Sequence, residues 1–283
     1  MSSHDTAAAV VVAHPGHEVR VHGWLERETP LVFVLTDGAG RAGVPRIAST
    51  AEYLKRFGMR RGCVFARFTD AEVYRLLLAR DFDPFLRLSE ELAAAFLEAR
   101  VGRVAGDAAE GYSTSHDTMR LVTNAAVEMA SRASGRTIAN YDFTLAQRPD
   151  HCPEPLRADS VWLRLDEEAF ARKLAAAFEF YPELAAETRA ALRGESYDAA
   201  VDYFKVNGDE HAATDLSGLD MFRVECLRPV KDCYCRFDSE RPFYETYAED
   251  KVRQGLYEQV IRYSEHVRPL ADALAGRVAR GAG

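Results

Sequence analysis

Residues 7–13 read Ala-Ala-Ala-Val-Val-Val-Ala, and the chain turns polar directly afterwards in His14-Pro15-Gly16-His17-Glu18. An apolar run this short, without alternation, is the pattern of a strand buried on both faces, and such strands belong to parallel sheets covered by helices. Parallel strands need a crossover, usually a helix, to join them. Within 18–27, Val21, Trp24 and Leu25 recur at helical intervals, and residues 30–35 form a second apolar run ending in Thr36-Asp37-Gly38. This unit predicts an α/β fold, Rossmann-like, with three layers and a mostly parallel sheet. The carboxyl ends of such strands gather at one edge, where ligands bind.

The same pattern continues. Residues 47–57 read as a helix stopped by Gly58, and 85–99 as another with Leu86, Leu88, Leu92 and Phe96 facing inward. Residues 101–105 are a further strand, followed by a loop over 106–112 and a helix over 116–131 whose inner face holds Leu121, Val122, Ala125 and Met129. Strands follow at 138–145 and 161–165, and Asp166 opens a helix with an acidic first turn that runs to Tyr181. After Pro182 the chain becomes polar and aromatic-rich, with a helix expected over 252–268 from Leu256, Val260, Tyr263 and Val267. The expected division is an α/β domain over 1–185 and a helical extension over 186–283.

A formal net charge of -8 argues against nucleic acid and anionic membranes as partners, since both require clustered Lys and Arg. Arg60-Arg61 is the nearest approach to a basic run and is read as solvated surface. No stretch approaches the length of a membrane-spanning helix, and the polar start lacks the basic region of a secretory signal. Five cysteines in a long chain do not make a disulfide framework, so the expected compartment is the cytoplasm. Cys233-Tyr234-Cys235 lacks the usual metal or redox spacing, and Gly38-Ala39-Gly40 lacks the third glycine of a dinucleotide loop. Tyr112, Phe243, Tyr244, Tyr247 and Tyr257 either line a cleft or pack the core, and the second reading is preferred.

Chemistry concentrates in the first loop. His14 and His17 flank a Pro-Gly turn that lets the backbone fold back and bring two imidazoles to one point. His116, at the start of the helix after the 101–105 strand, reaches the same edge of the sheet. Three neutral imidazoles suit zinc and leave a coordination position open for water, although iron, copper or nickel would also accept them. His17 and His22 do not form a protease-type zinc helix, because five residues separate them by about 140° around a helix.

Residues 7–185 resemble the LmbE-like or PIG-L N-deacetylases, zinc enzymes of Rossmann-like fold that remove acyl groups from amino sugars and related amides. The family's AHPDDE motif stands here as AHPGHE. His14 matches its first ligand, and His17 falls where its aspartate ligand lies. Leu35-Thr36-Asp37-Gly38 resembles its Thr-x-Gly strand end, and His116 in Ser113-Thr114-Ser115-His116-Asp117 matches a later ligand, though the histidine three residues earlier is absent. Leu165-Asp166 and the helix after it resemble the family's close. The resemblance implies a zinc-dependent hydrolase of an amide or related C–N bond, acting on a small molecule such as an N-acylated sugar or amine.

Gly16 replaces the aspartate that serves the family as general base, and a glycine accepts no proton. Asp107 and Glu110, on the loop after the 101–105 strand, and Asp117, beside His116, are the candidate replacements. Each has a plainer role open to it: a turn for Asp107, solvation for Glu110, a helix N-terminus for Asp117. Glu18 is expected either to support a ligand histidine or to open a helix. The missing base keeps two alternatives open, a metal- or ligand-binding protein without hydrolysis and a metalloenzyme of other chemistry.

Overall fold

The structure, a computed structural model, describes residues 6–40, 43–182, 218–231 and 241–280. A seven-stranded sheet has the order β3 (Arg60–Phe68), β2 (Leu31–Thr36), β1 (Ala7–Val12), β4 (Val101–Asp107), β5 (Ala139–Phe143), β7 (Val224–Pro229) and β6 (Val161–Arg164). The first five strands are parallel, whereas β7 runs antiparallel to both β5 and β6. The strand order reverses at β1 and β4, and the crevice at their carboxyl ends is where open α/β sheets bind ligands.

β1 is buried on both faces. Ala9, Val11 and Ala13 join one core cluster, while Ala8, Val10 and Val12 join another. On the first side lie α3 (Asp70–Leu78), α4 (Asp83–Glu98), α5 (Thr114–Ser134) and α8 (Arg268–Arg280), through Leu77, Leu92, Leu121 and Leu274. On the second lie α1 (His22–Glu28), α2 (Ile47–Arg56) and α6 (Glu167–Phe180), through Leu25, Leu54 and Ala176. The three-layer α/β architecture expected from the sequence is therefore present. Among the described residues no helix is long and apolar enough to cross a membrane.

Three elements differ from the sequence reading. β3 and α3 went unrecognised, since β3 is an edge strand with exposed Arg60 and Arg61 and no apolar run. The 252–268 helix does not form: α7 (Phe243–Arg253) ends at Arg253, Gly255 takes a left-handed φ of 72°, and a π-helical turn at Tyr263–Val267 leads into α8. Pro269 occupies the first turn of α8, where its missing N–H costs nothing. The region beyond residue 185 also supplies more than helices, because β7 completes the sheet.

β7 also fixes α1. Glu225 accepts hydrogen bonds from the Gly23 and Trp24 amides, at 2.9 and 2.8 Å, satisfying donors that a helix start leaves free. Its carboxylate is paired at 2.8 Å with the buried Lys173 ammonium of α6. Fully buried His22 lies beside it, with Nδ1 2.7 Å from the Tyr53 hydroxyl. Burial holds its pKa below the usual histidine value, against the pull of Glu26 and Glu225. Because the unfolded chain then binds the extra proton, stability is complete above the unfolded value near about 6.5 and falls as pH drops below it. A His22→Gln variant is expected to flatten that acid-side loss by up to about 1.4 kcal/mol per pH unit, measured by denaturant unfolding at about pH 5.5 and about pH 7.5.

Candidate metal centre

The first ligand turn is shaped by two glycines. Gly16 adopts φ 99°, a conformation that side chains disfavour, and this folds His17 back until its amide points at the His14 carbonyl, 3.4 Å away. Gly38, at the end of β2, has φ +64° and passes so close to Pro15 that a Cβ would stand 2.6 Å from the proline ring. Glu18 braces the same turn: one carboxylate oxygen accepts the Gly16 amide at 2.8 Å, and the other meets the Tyr181 hydroxyl, which also contacts Thr50. It touches no histidine among these partners and serves the turn itself.

The turn, the end of β4 and the start of α5 bring His14, His17 and His116 together, with a set of ligand nitrogens all within 4.8 Å of one another. Ring centroids are 4.7 to 5.1 Å apart. His14 Nδ1 and His116 Nε2 stand 3.0 Å apart, close to the about 3.3 Å that two nitrogens on one tetrahedral zinc would show with Zn–N bonds of about 2.0–2.1 Å. Two of the rings are held from behind by carboxylates. His14 Nε2 lies 2.8 Å from Asp70 Oδ1, and His17 Nδ1 lies 2.8 Å from Asp107 Oδ2. A carboxylate on the outer nitrogen keeps the proton there and leaves the inner nitrogen as an electron-pair donor.

Burial acts on two of the rings. It lowers the pKa of His17 despite the opposing attraction of Asp107, and it holds His116 well below the usual value with help from the charges of His17, His14 and Arg46. At Asp70 burial works the other way, yet hydrogen bonds from His14 and the Gly40 amide outweigh it and bring the carboxyl down to about 2. Imidazoles braced by buried carboxylates form a donor set suited to a divalent transition metal.

The three candidate bases are placed differently from one another. Asp107 sits directly behind His17, also accepts the Ala13 amide at 2.7 Å, and has one buried oxygen without a hydrogen-bond partner among the described residues. Glu110 accepts the backbone amides of Leu145, Ala146 and Gln147, at 2.7 to 3.1 Å, and so anchors the loop after β5. Asp117 accepts the amides of Glu110 and Gly111, at 3.1 and 3.3 Å, and shapes the loop before α5. Glu110, a candidate base from the sequence, is thus a carboxylate already engaged by backbone.

Sequence reasoning missed Asp70 and Arg46. Thr69 and Glu72 form a capping box that marks the start of α3, but it says nothing of where the Asp70 carboxylate points. Arg46 precedes α2, and its Nε donates to the Gly38 carbonyl at 2.8 Å, which sets its charge beside the histidines. Cys233 and Cys235 lie outside the described residues. Replacing Asp107 with Asn keeps the shape but changes the group facing His17 Nδ1, so metal affinity is expected to fall about 10- to 100-fold in a competition titration.

No protein-family model matches the sequence, and no curated protein is similar to it. Solved structures are similar. The zinc-inhibited form of a teicoplanin deacetylase is 13% identical, with a TM-score of 0.51 over 83% of this chain and 100% of that one. A second structure, a deacetylase complex from the teicoplanin biosynthesis pathway, matches over the same shares at 13% identity and a TM-score of 0.52. The chain has the fold of these deacetylases. The likeness agrees with the α/β reading, and the three-histidine cluster lies at the crevice that this fold uses for ligands.

Proposed function

We propose that the protein is a divalent-metal-dependent hydrolase of an amide or related C–N bond, deacetylase-like, acting on a small N-acylated sugar or amine. The observation that carries this reading is the convergence of three imidazoles, two of them braced by buried carboxylates, at the switch point of a fold shared with deacetylases. Zinc is a metal that the donor set of three imidazoles favours, and when bound it would lower the pKa of a water and polarise a carbonyl. His14, His17 and His116 would hold it. Asp70 and Asp107 would fix the tautomers of His14 and His17, and Arg46 would add positive charge beside the rings. Of the three candidate bases we favour Asp107, whose partnerless oxygen is nearest in bonding to a ligand ring. Its link through His17 also makes it a positioning residue. The cysteine usage supports a cytoplasmic setting.

Gly16 favours a second reading, a metal-binding protein on this fold without hydrolysis, because its left-handed backbone disfavours the side chain that would carry a base. One experiment separates the two. Purified protein is stripped with chelator, reloaded with zinc, and offered a panel of N-acetylated sugars and amines, with release of acetate measured. Acetate release that follows zinc loading supports the hydrolase. A protein that takes up zinc yet releases no acetate from any member of the panel supports the second reading.

A further inference from the structure

Two cysteines meet at the edge of the sheet farthest from β3. In the β6–β7 ladder Trp162 stands opposite Cys226, and Val161 opposite Leu227. Leu227, Val161 and Leu163 join the core beneath α1, α2 and α6, so Cys226 and Trp162 point to the other face. Ser160, with extended backbone at φ -83° and ψ 148°, continues that face just before β6 and lies diagonally across from Cys226. Cys152 rests against it, with Sγ 3.3 Å from Ser160 Oγ. The Ser160 hydroxyl donates to the Leu156 carbonyl at 2.8 Å and so meets the thiol as an acceptor. Cys152 and Cys226 are thereby neighbours within hydrogen-bonding reach of each other, and both are free thiols.

The two thiols differ in access. Cys226 is buried, and burial together with the neighbouring Cys152 pushes it up to about 12, so it stays protonated and away from solvent. Cys152 is half-buried, near the end of the loop that follows β5. That loop is tied to the ligand turn. Arg20, three residues after His17, donates to the Thr144, Leu145 and Gln147 carbonyls at 2.7 to 3.0 Å, and Glu110 accepts amides of the same stretch. A covalent link from Cys152 to β7 would fix the far end of this loop to the sheet.

We propose that Cys152 and Cys226 are a redox-modification site, which hydrogen peroxide converts to a reversible disulfide that fastens the loop after β5 to β7. The Cys152 sulfur attacks one peroxide oxygen, breaking the O–O bond, to give a sulfenic acid and one water. The Cys226 sulfur then displaces the hydroxyl from Cys152, and that hydroxyl leaves with the Cys226 proton as a second water. The two sulfurs lose two electrons in all, and the peroxide gains them. A dithiol reductant reopens the bond by thiol–disulfide exchange. Reversible pairs of this kind are the usual form of disulfides in reducing compartments. Cys63, the remaining cysteine among the described residues, lies on β3 at the opposite edge of the sheet and does not compete.

The test treats the purified full-length chain with hydrogen peroxide, alkylates the remaining thiols, and maps peptides by mass spectrometry with and without dithiothreitol. The expected product is a pair of peptides joined through Cys152 and Cys226, lighter by two hydrogens than the separate peptides and split by dithiothreitol. Oxidised protein is expected to melt about 5 °C higher than reduced protein, a shift absent from Cys152→Ser and kept in Cys63→Ser. Peroxide treatment that leaves both cysteines as thiols, joins either to a different cysteine, or takes Cys152 to a sulfinic acid without a bridge overturns the site. A bridge that forms but leaves the melting temperature unchanged overturns the fastening of the loop.

Discussion

His116→Ala is expected to leave the protein folded and without its metal. Wild-type protein should bind about one equivalent of zinc per chain, as three converging imidazoles require, and the variant should lose far more affinity than the about 10- to 100-fold expected for losing a carboxylate behind a ligand. His116 lies in the first turn of α5, a long helix held by Leu121, Val122 and Ala125, so removing the ring should spare the helix. Elemental analysis with a melting curve reads both effects. Wild-type protein that holds no stoichiometric metal after zinc loading would remove the site, and so would a His116→Ala variant that binds zinc as tightly as wild type. His14→Ala and His17→Ala should match His116→Ala.

The largest loss of stability is expected from Glu225→Ala. This change leaves the Lys173 ammonium buried without its partner and leaves the Gly23 and Trp24 amides without an acceptor. Breaking a buried pair by removing one member costs roughly 3–5 kcal/mol, a large share of the about 5–15 kcal/mol by which a domain is stable. Replacing both members with apolar residues, Glu225→Leu with Lys173→Met, should recover part of this, because no buried charge remains. Recovery should stop short of wild type, since the α1 amides remain unsatisfied at about 1–3 kcal/mol. Denaturant unfolding measures all three proteins. A Glu225→Ala loss below about 1 kcal/mol would show that water reaches the pair and replaces the missing partner.

What could be read from the sequence was local. The 7–13 run is apolar throughout because β1 is covered on both faces, and the rule that strand ends share an edge was enough to join His14 and His17 with His116, across 102 residues from His14. Asp70 was not legible, because nothing in the sequence reports that a residue 56 positions after His14 closes behind its ring. Its strand, β3, lacks apolar patterning as an edge strand can, so the end of that strand was never placed at the site. The roles of Glu110 and Asp117 were invisible for a related reason. Acidic residues on a loop near a metal look alike in sequence whether they face the ion or hold backbone amides, and only the return path of the loop after β5 decides between them. The aromatic residues at 243–257 were read as core because helical spacing alone cannot tell the buried Tyr244 from the half-buried Phe243 beside it.

The ligands and their carboxylates come from the loop after β1, the starts of α3 and α5 and the end of β4, and the contacts among them join residues 56 to 102 positions apart. No short segment of the chain contains a complete donor set, so an ion has nothing to organise in a nascent polypeptide, in contrast to zinc fingers, whose nearby ligands let the metal drive folding. The centre comes into being only when the long-range parallel pairing of the sheet is finished, a slow step for this kind of topology. Any metal loading at this centre would therefore be a late event in the life of the molecule. A chelator should yield an apoprotein that keeps its helical circular dichroism and melts cooperatively at a lower temperature, shifted by the binding energy of the ion rather than unfolded by its loss.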